Sequence, residues 1–439
     1  MSASLRFIVQ PGGTLCGTLQ VPGDKSISHR AIMLTALALG TSRISGCLRG
    51  ADVLATLQAF RAMGVVISDD PVSGDFIVQG VGMFGLKSPA EPLELGNSGT
   101  AIRLLAGLLA GSGVSCTLVG DASLNSRPMR RVTEPLKTMG ALIETTEAGT
   151  APLKITVPPL LNGITYHLPV ASAQVKSAIL MAGLYAKGNT WVIEPEPTRD
   201  HTERMIKAFG YPRLEGEGRC GVRGSRSLYA CDIEVPADIS SAAFFLVGAS
   251  IATGSDLTLR RVGVNPMRDG VITILRLMGA DIQLFNHAEV SCEPVADIRV
   301  RSADLQGIEI PIDQVPLAID EFPALFVAAA CASGTTVLRG AAELRVKESD
   351  RIQVMADGLQ ALGVQLEVLP DGMIIQGGDI QGGEVHSQGD HRIAMAFSMA
   401  ALVAKQQITI HDCANVDTSF PGFVELAASV GLRLEAMDA

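Results

Sequence analysis

Residues 21–30 read VPGDKSISHR and place Lys25, Ser26, Ser28, His29 and Arg30 within six residues, directly ahead of the apolar run AIMLTALALG. Two cations and two hydroxyls at the mouth of a buried segment suit the capture of an oxyanion. The Lys25-Ser26 pair imitates the end of a phosphate-binding P-loop, but that motif needs glycine before the lysine, and Asp24 stands there. A Ser–His nucleophile pair needs a geometry that adjacency in sequence does not supply. An N-cap with solvated charges is the third reading of the stretch, and His29 fits packing or capping as well as chemistry.

Similar stretches recur. GNSGTAIR (96–103) brings Asn97, Gly99, Thr100 and Arg103 to the start of another apolar run. ASAQVKS (171–177) brings Ser172, Ala173, Gln174 and Lys176; IDEFP (319–323) brings Asp320 and Glu321; GDHRIAMAF (389–397) brings His391 and Arg392. A helix N-terminus offers free N–H groups and the positive end of the dipole, so it attracts anions. A Gly-rich loop admits the anion to the backbone, and arginine adds a bidentate fork. Two further stretches are dense in charge: LNSRPMRRVTEPL, a proline-containing loop with Arg127, Arg130 and Arg131, and ELRVKESDRIQVM with Lys347, Glu348, Asp350 and Arg351. Lys347 and Arg351 are four apart and share a face if the segment is helical, with Glu348 beside it. Any one of these cations is more often solvated or ion-paired. The functional case is their joint recurrence at the same place in successive segments.

Composition limits the partners. A net charge of −10 over 439 residues argues against nucleic acid or an anionic membrane, so the cations are a local device. The first residues lack the apolar core of a secretory signal, no apolar run reaches membrane-spanning length, and the expected location is the cytoplasm. Eight scattered cysteines include no C-x-x-C, and the seven histidines show no ligand spacing; reduced thiols and no metal are expected. No G-x-G-x-x-G sits on a strand-to-helix turn, so a dinucleotide cofactor is not supported.

The elements that must position these residues repeat six times. An amphipathic stretch ends in apolar-Gly at Gly64, Gly140, Gly210, Gly279, Gly363 and Gly431, spaced 68–84 residues apart. Each glycine suits the left-handed position just past a helix end. Upstream of each lies a segment apolar on nearly all sides: AIMLTALALG, AIRLLAGLLAG, SAILMAGLYA, SAAFFLVGASIA, FPALFVAAACA and RIAMAFSMAALVA. A helix without a polar face is buried all round. The expected unit is strand, buried helix, strand, amphipathic helix, strands. The expected fold is α/β, in two domains, each with three inward helices under an outer layer of sheets and helices.

These motifs resemble those of the 5-enolpyruvylshikimate-3-phosphate synthase family. The likeness runs through PGDKSISHRA, GNSGTAIRLL, DASLNSRPMRRV, ASAQVKSAIL, PTRDHTE, IDEFP, RVKESDRI, GDHRIAMAF and TSFPGF, over essentially the whole chain, in the wording of the bacterial class II members. The resemblance implies an inside-out α/β barrel of six βαβαββ repeats, three per domain. It implies a discontinuous domain of residues 1–20 and 241–439, an inserted domain of residues 21–240, hinges near 21 and 240, and an active site in the cleft between them. It implies transfer of the enolpyruvyl group of phosphoenolpyruvate to the 5-hydroxyl of shikimate 3-phosphate, releasing phosphate through a tetrahedral intermediate without metal or organic cofactor. That step serves chorismate and aromatic amino acid biosynthesis. By the same resemblance Ser26, Arg30, Ser172, Ala173, Gln174 and Thr198 would bind shikimate 3-phosphate. Lys25, Arg127, Arg351 and Arg392 would clamp phosphoenolpyruvate, with Asn97, Gly99, Thr100, Arg103 and His391 nearby. Asp320 would be the base at the 5-hydroxyl and Glu348 the proton donor to C3, Lys347 would touch the acceptor, and Lys25 would share in catalysis.

Some positions depart from the family pattern. Leu104 stands where many members have proline, Glu343 where some have asparagine, and Asp417-Thr418-Ser419 where some place a lysine. His201 replaces a tyrosine that stacks on the acceptor in some members. Gly99 leaves room for glyphosate at the phosphoenolpyruvate site, while Leu104 and the class II wording imply reduced sensitivity. The sister enzyme acting on UDP-N-acetylglucosamine is the rival reading, but its loop cysteine five residues before an Arg-Pro pair is Ala122 here. A nucleic-acid-binding protein on a similar repeat is disfavoured by the acidic charge and 4% aromatic content. A monomer is the default expectation.

Overall fold

The computed structural model describes residues 5–216 and 218–438, in which helices and short sheets alternate throughout. The chain divides into two compact units. The discontinuous unit holds the chain up to Pro22, Pro236–Ala288 and Pro294–Ala439; the inserted unit holds Gly23–Val235 and Glu289–Glu293. The excursion Glu289–Glu293 has no counterpart in the sequence reading.

All six apolar segments are helices. The inserted unit has Lys25–Leu37, Gly99–Leu109 and Ala173–Gly183; the discontinuous unit has Ile239–Ile251, Phe322–Cys331 and His391–Ala400. The first ends sooner than its apolar run, because Ala38–Ser45 leaves the helix as a strand. Every residue of Ile239–Ser250 is buried, as a helix with no polar face requires. Small residues allow close approach: a Cβ on Gly107 would lie 2.1 Å from the carbonyl oxygen of Ala178 on the neighbouring helix. The two units have separate apolar cores.

The six amphipathic stretches are also helices, and their terminal glycines have φ between +74° and +117°, the region that side chains with a Cβ avoid. Arg130 and Arg131 belong to one of them, Arg130–Thr138, and not to a loop.

The sheets follow one order. Leu93–Glu94 runs parallel to Cys116–Val119, and Leu153–Thr156 lies antiparallel between Cys116–Val119 and Leu142–Glu144. A parallel pair needs a crossover, which the buried helix Gly99–Leu109 supplies. Leu153–Thr156 alternates buried and exposed residues, so this sheet covers the helices with one face and meets solvent with the other. Thr165–His167, Asn189–Ile193, Arg219–Arg223 and Arg213–Gly216 repeat the order. Other sheets borrow strands from distant sequence. Leu5–Val9 takes the middle place between Ile408–His411 and Leu434–Asp438, and Cys16–Leu19 runs parallel to Asp256–Gly263. In the inserted unit Leu228–Tyr229 and Ile233–Glu234 run parallel to Ala38–Ser45.

Among the described residues no helix is long and apolar enough to cross a membrane. All eight cysteines are free thiols, and burial pushes Cys116, Cys331 and Cys413 up to about 12.

Candidate active site

In both units the candidate residues gather where buried helices begin. Asp24, Ser98, Ser172, Asp238 and Asp390 cap five of the six, each with a side-chain oxygen accepting a backbone N–H. A cap satisfies one orphan donor of the first turn and leaves the others facing outward.

In the inserted unit Lys25 pairs with Asp52 at 3.1 Å. Arg30 is buried and held on three sides. Its Nε donates to Thr202 Oγ1 at 2.7 Å, one Nη to the Ser26 carbonyl at 2.8 Å, and the other to Ser177 Oγ at 2.8 Å. Burial draws the Arg30 guanidinium down to about 10, a loss that Glu203 and Asp24 partly offset. Arg103 donates to the Gln174 side-chain oxygen, and the Gln174 amide donates to Thr100 Oγ1 at 3.1 Å, so two helix starts are stitched together. Arg127 donates to Asn97, whose own amide donates to Asp121 at 2.8 Å. Gly99 is buried beneath these arginines: a Cβ there would come within 3.0 Å of Arg127 Nη1 and 3.4 Å of Arg103 Nη1. Ser172 and Ala173 open the third helix of the unit, and the Thr198 hydroxyl donates to Glu194.

His29 and Ser28 are structural. The His29 ring lies 2.8 Å from Thr56 Oγ1 and 3.4 Å from Ser98 Oγ, and Ser28 Oγ accepts the Leu48 N–H at 3.0 Å. Burial, with Lys25 and Arg30 nearby, lowers the His29 imidazole to about 3, which keeps it neutral. His201 is also buried, 2.7 Å from Glu293.

In the discontinuous unit a second cluster forms around Arg351. This arginine is 1% exposed and meets three carboxylates: Asp390 at 2.8 Å, Glu348 at 2.6 Å and Asp320 at 3.4 Å. Burial works against its charge, but Asp390, Glu348 and Asp320 prevail and hold its pKa above the ordinary value. Lys347 reaches the same oxygen of Asp320 at 3.2 Å. Arg392 donates to the Asp320 carbonyl at 3.1 Å and lies 3.8 Å from Glu321, while His391 starts the same helix and is buried. Glu321 accepts from Ser240 and lies 3.5 Å from Arg268, which also lies 3.4 Å from Asp238. The starts of all three buried helices of this unit are therefore linked by Arg268, Arg351 and Arg392.

Lys347 and Arg351 do meet at Asp320, though not by sharing a helix face. The helix starts at Arg351, and Lys347 is extended ahead of it because Asp350 caps the helix at Gln353. Asp350 also pairs with Arg345 at 2.6 Å. Sequence reasoning did not single out Asp52, Asp121, Thr202, Ser177 or Asp390. The last could have been read as an N-cap, since it stands two residues before Arg392 at the head of an apolar run.

The arrangement offers two clusters of fixed cations, one of which also carries two partly exposed carboxylates, Asp320 and Glu348. Cations preset where anionic charge is bound or develops stabilise it without reorganisation, and the carboxylates can move protons.

Known proteins resemble this chain along nearly its whole length. Residues 9–426 match the family model described as EPSP synthase (3-phosphoshikimate 1-carboxyvinyltransferase). A protein of that second name from Alkalilimnicola ehrlichii is 66% identical over 437 residues, covering 99% of this chain and 98% of the relative. One from Methylococcus capsulatus is 62% identical over 429 residues, covering 98% of both. A solved EPSP synthase from Acinetobacter baumannii superimposes with a TM-score of 0.89 at 55% identity, covering 99% of this chain and all of that one. The chain belongs to the EPSP synthase (3-phosphoshikimate 1-carboxyvinyltransferase) family.

Proposed function

We propose that this chain transfers the enolpyruvyl group of phosphoenolpyruvate to the 5-hydroxyl of shikimate 3-phosphate and releases inorganic phosphate. The observation that carries the reading is the Asp320–Lys347–Arg351–Glu348 cluster, in which two carboxylates surround one buried guanidinium at 3.4 and 2.6 Å. Asp320 accepts the proton of the 5-hydroxyl as its oxygen attacks C2 of phosphoenolpyruvate. Glu348 delivers a proton to C3. In the tetrahedral adduct the bond from C2 to the phosphate oxygen then breaks, the leaving phosphate takes up the proton that Asp320 had accepted, the C3 proton returns to Glu348, and the enol ether and phosphate leave.

Both substrates carry a phosphate and a carboxylate, and both residue sets supply cations. Lys25, Arg127, Arg351 and Arg392 serve phosphoenolpyruvate, with Asn97, Gly99, Thr100, Arg103 and His391 beside it. Ser26, Arg30, Ser172, Ala173, Gln174, Thr198 and Lys347 serve the acceptor. Arg351 gives most of its N–H groups to Asp390, Glu348 and Asp320, so it acts on phosphoenolpyruvate largely through its field.

The three all-buried helices of each unit, under sheets with one solvent face, support the finer reading of an inside-out α/β barrel. The segments Gly23–Val235 and Pro236–Ala439 then carry repeats one to three and four to six. Glyphosate competes at the phosphoenolpyruvate site, with reduced sensitivity expected from Leu104; tight inhibition competitive with phosphoenolpyruvate contradicts that sensitivity. The enzyme works as a monomer in the cytoplasm and needs no cofactor. The sister reaction on UDP-N-acetylglucosamine is not supported by the family match. Phosphate release with each acceptor tests the assignment.

A further inference from the structure

We propose that Lys176 is a positioning residue that sets the Thr198 segment for the phosphate of the acceptor, without touching substrate itself. This rests on the proposed role of Thr198 in binding shikimate 3-phosphate. Lys176 lies on the helix Ala173–Gly183, two residues after Gln174, and its side chain is 2% exposed. A lysine is almost never buried so fully unless it is paired. Its ammonium has three donors, and all three are placed: on Glu194 at 2.8 Å, on Glu203 at 2.9 Å and on the Thr198 carbonyl at 3.1 Å. Glu194 in turn accepts the Thr198 hydroxyl. One ammonium thus fixes both the backbone of Thr198 and the partner of its side chain.

The next residue completes the tie. Ser177 Oγ accepts from Arg30 at 2.8 Å and from Thr202 at 2.9 Å, and Thr202 accepts from Arg30 at 2.7 Å. Two adjacent residues of one helix therefore hold the segment from Glu194 to Glu203 and orient Arg30, another proposed acceptor ligand. The ligand atoms of Glu194, Glu203 and Cys220 lie within 4.8 Å of one another, a spacing that suits a metal ion. The ammonium of Lys176 already sits between the two glutamates and offsets one of their two charges. Burial lowers the affinity of Lys176 for its proton, but Glu203 and Glu194 outweigh it and keep the cation fixed.

Steady-state kinetics of Lys176→Met, with each substrate varied in turn, is the test. The KM for shikimate 3-phosphate should rise about tenfold or more, the scale of one lost charge-assisted hydrogen bond, while the KM for phosphoenolpyruvate changes less than about twofold. The single variant leaves the buried Glu203 and the partly buried Glu194 without their cation and can fail to fold. The companion Lys176→Met with Glu203→Gln restores the local charge balance and should melt close to the parent while keeping the raised KM. In a Thr198→Ala background the effect of Lys176→Met should fall below about twofold, because the coupled groups lose the same interaction. Equal rises in both KM values, an unchanged KM, or a full effect in the Thr198→Ala background would overturn the positioning role. If Thr198→Ala itself leaves the KM for shikimate 3-phosphate unchanged, the acceptor-site reading falls as well; if only the Lys176 variants are silent, that reading stands and this one falls.

Discussion

Arg351 and Asp320 carry the site's electrostatics at the scale of single residues. The guanidinium is buried and held by three carboxylates, so its charge stays fixed, and the two carboxylates proposed to move protons, Asp320 and Glu348, take their orientation from it. If they act as proposed, removing either carboxylate takes away a proton acceptor or donor, a contribution of about 10²-fold or more. Asp320→Ala and Glu348→Gln are each expected to lose at least that factor in turnover, and near-normal rates in either variant would remove its assigned role. A different residue contributes to the acid limb of stability. His29 is neutral in the fold, with its imidazole lowered to about 3 from 6.5, mainly by burial. The unfolded chain therefore takes up a proton below about pH 6.5 that the fold refuses down to about pH 3. The contribution of His29 to stability is full above about pH 6.5 and is lost progressively on acidification between those values. Thermal melts from pH 7 to pH 5 should fall less steeply for His29→Gln than for the parent; parallel slopes would mean that another group sets the acid limb.

Helix starts are the elements that build the site. Asp390 does two things at once: it caps His391–Ala400 through the Arg392 N–H at 3.0 Å and holds Arg351 at 2.8 Å. The two roles separate by substitution. Asp390→Asn keeps the cap and removes the charge, leaving Arg351 short of a buried anion, a loss of about 3 kcal/mol. Asp390→Ala removes the cap as well, adding about 1 kcal/mol. For a unit of this size the first should lower the melting temperature by roughly 6–12 °C and the second by a further 2–4 °C. Equal, small shifts in both variants would show that the pair contributes little. The elements themselves were legible in sequence because a buried helix leaves a continuous apolar run and an amphipathic one ends at a glycine; Gly64 to Gly431 mark all six. The condition set for Lys347 is not met, because a four-residue spacing implies a shared face only inside a helix, and Asp350 starts that helix later. Lys176 was legible as a polar residue at a helix start but not as a buried one. Its burial depends on Glu194 and Glu203, 18 and 27 residues away, and no local pattern announces them.

Across the whole molecule, long-range strand pairing escaped the sequence. Leu5–Val9 enters a sheet with Ile408–His411, and its short apolar run carries no mark of a partner some four hundred residues on. The same holds for Glu289–Glu293, five residues that join the inserted unit from within a stretch otherwise belonging to the other. What survived was the periodicity, because each repeat must bury the same helix in the same way. The joint recurrence of cations ahead of those helices likewise stood out where no single arginine did, and the two clusters around Gln174 and Arg351 are its physical form. Both belong to one proposed reaction, so one measurement bears on them together: phosphate release from phosphoenolpyruvate by the purified protein, with shikimate 3-phosphate or UDP-N-acetylglucosamine as acceptor. Release with shikimate 3-phosphate alone is the predicted result. Release with the sugar nucleotide alone, or with neither, would contradict it.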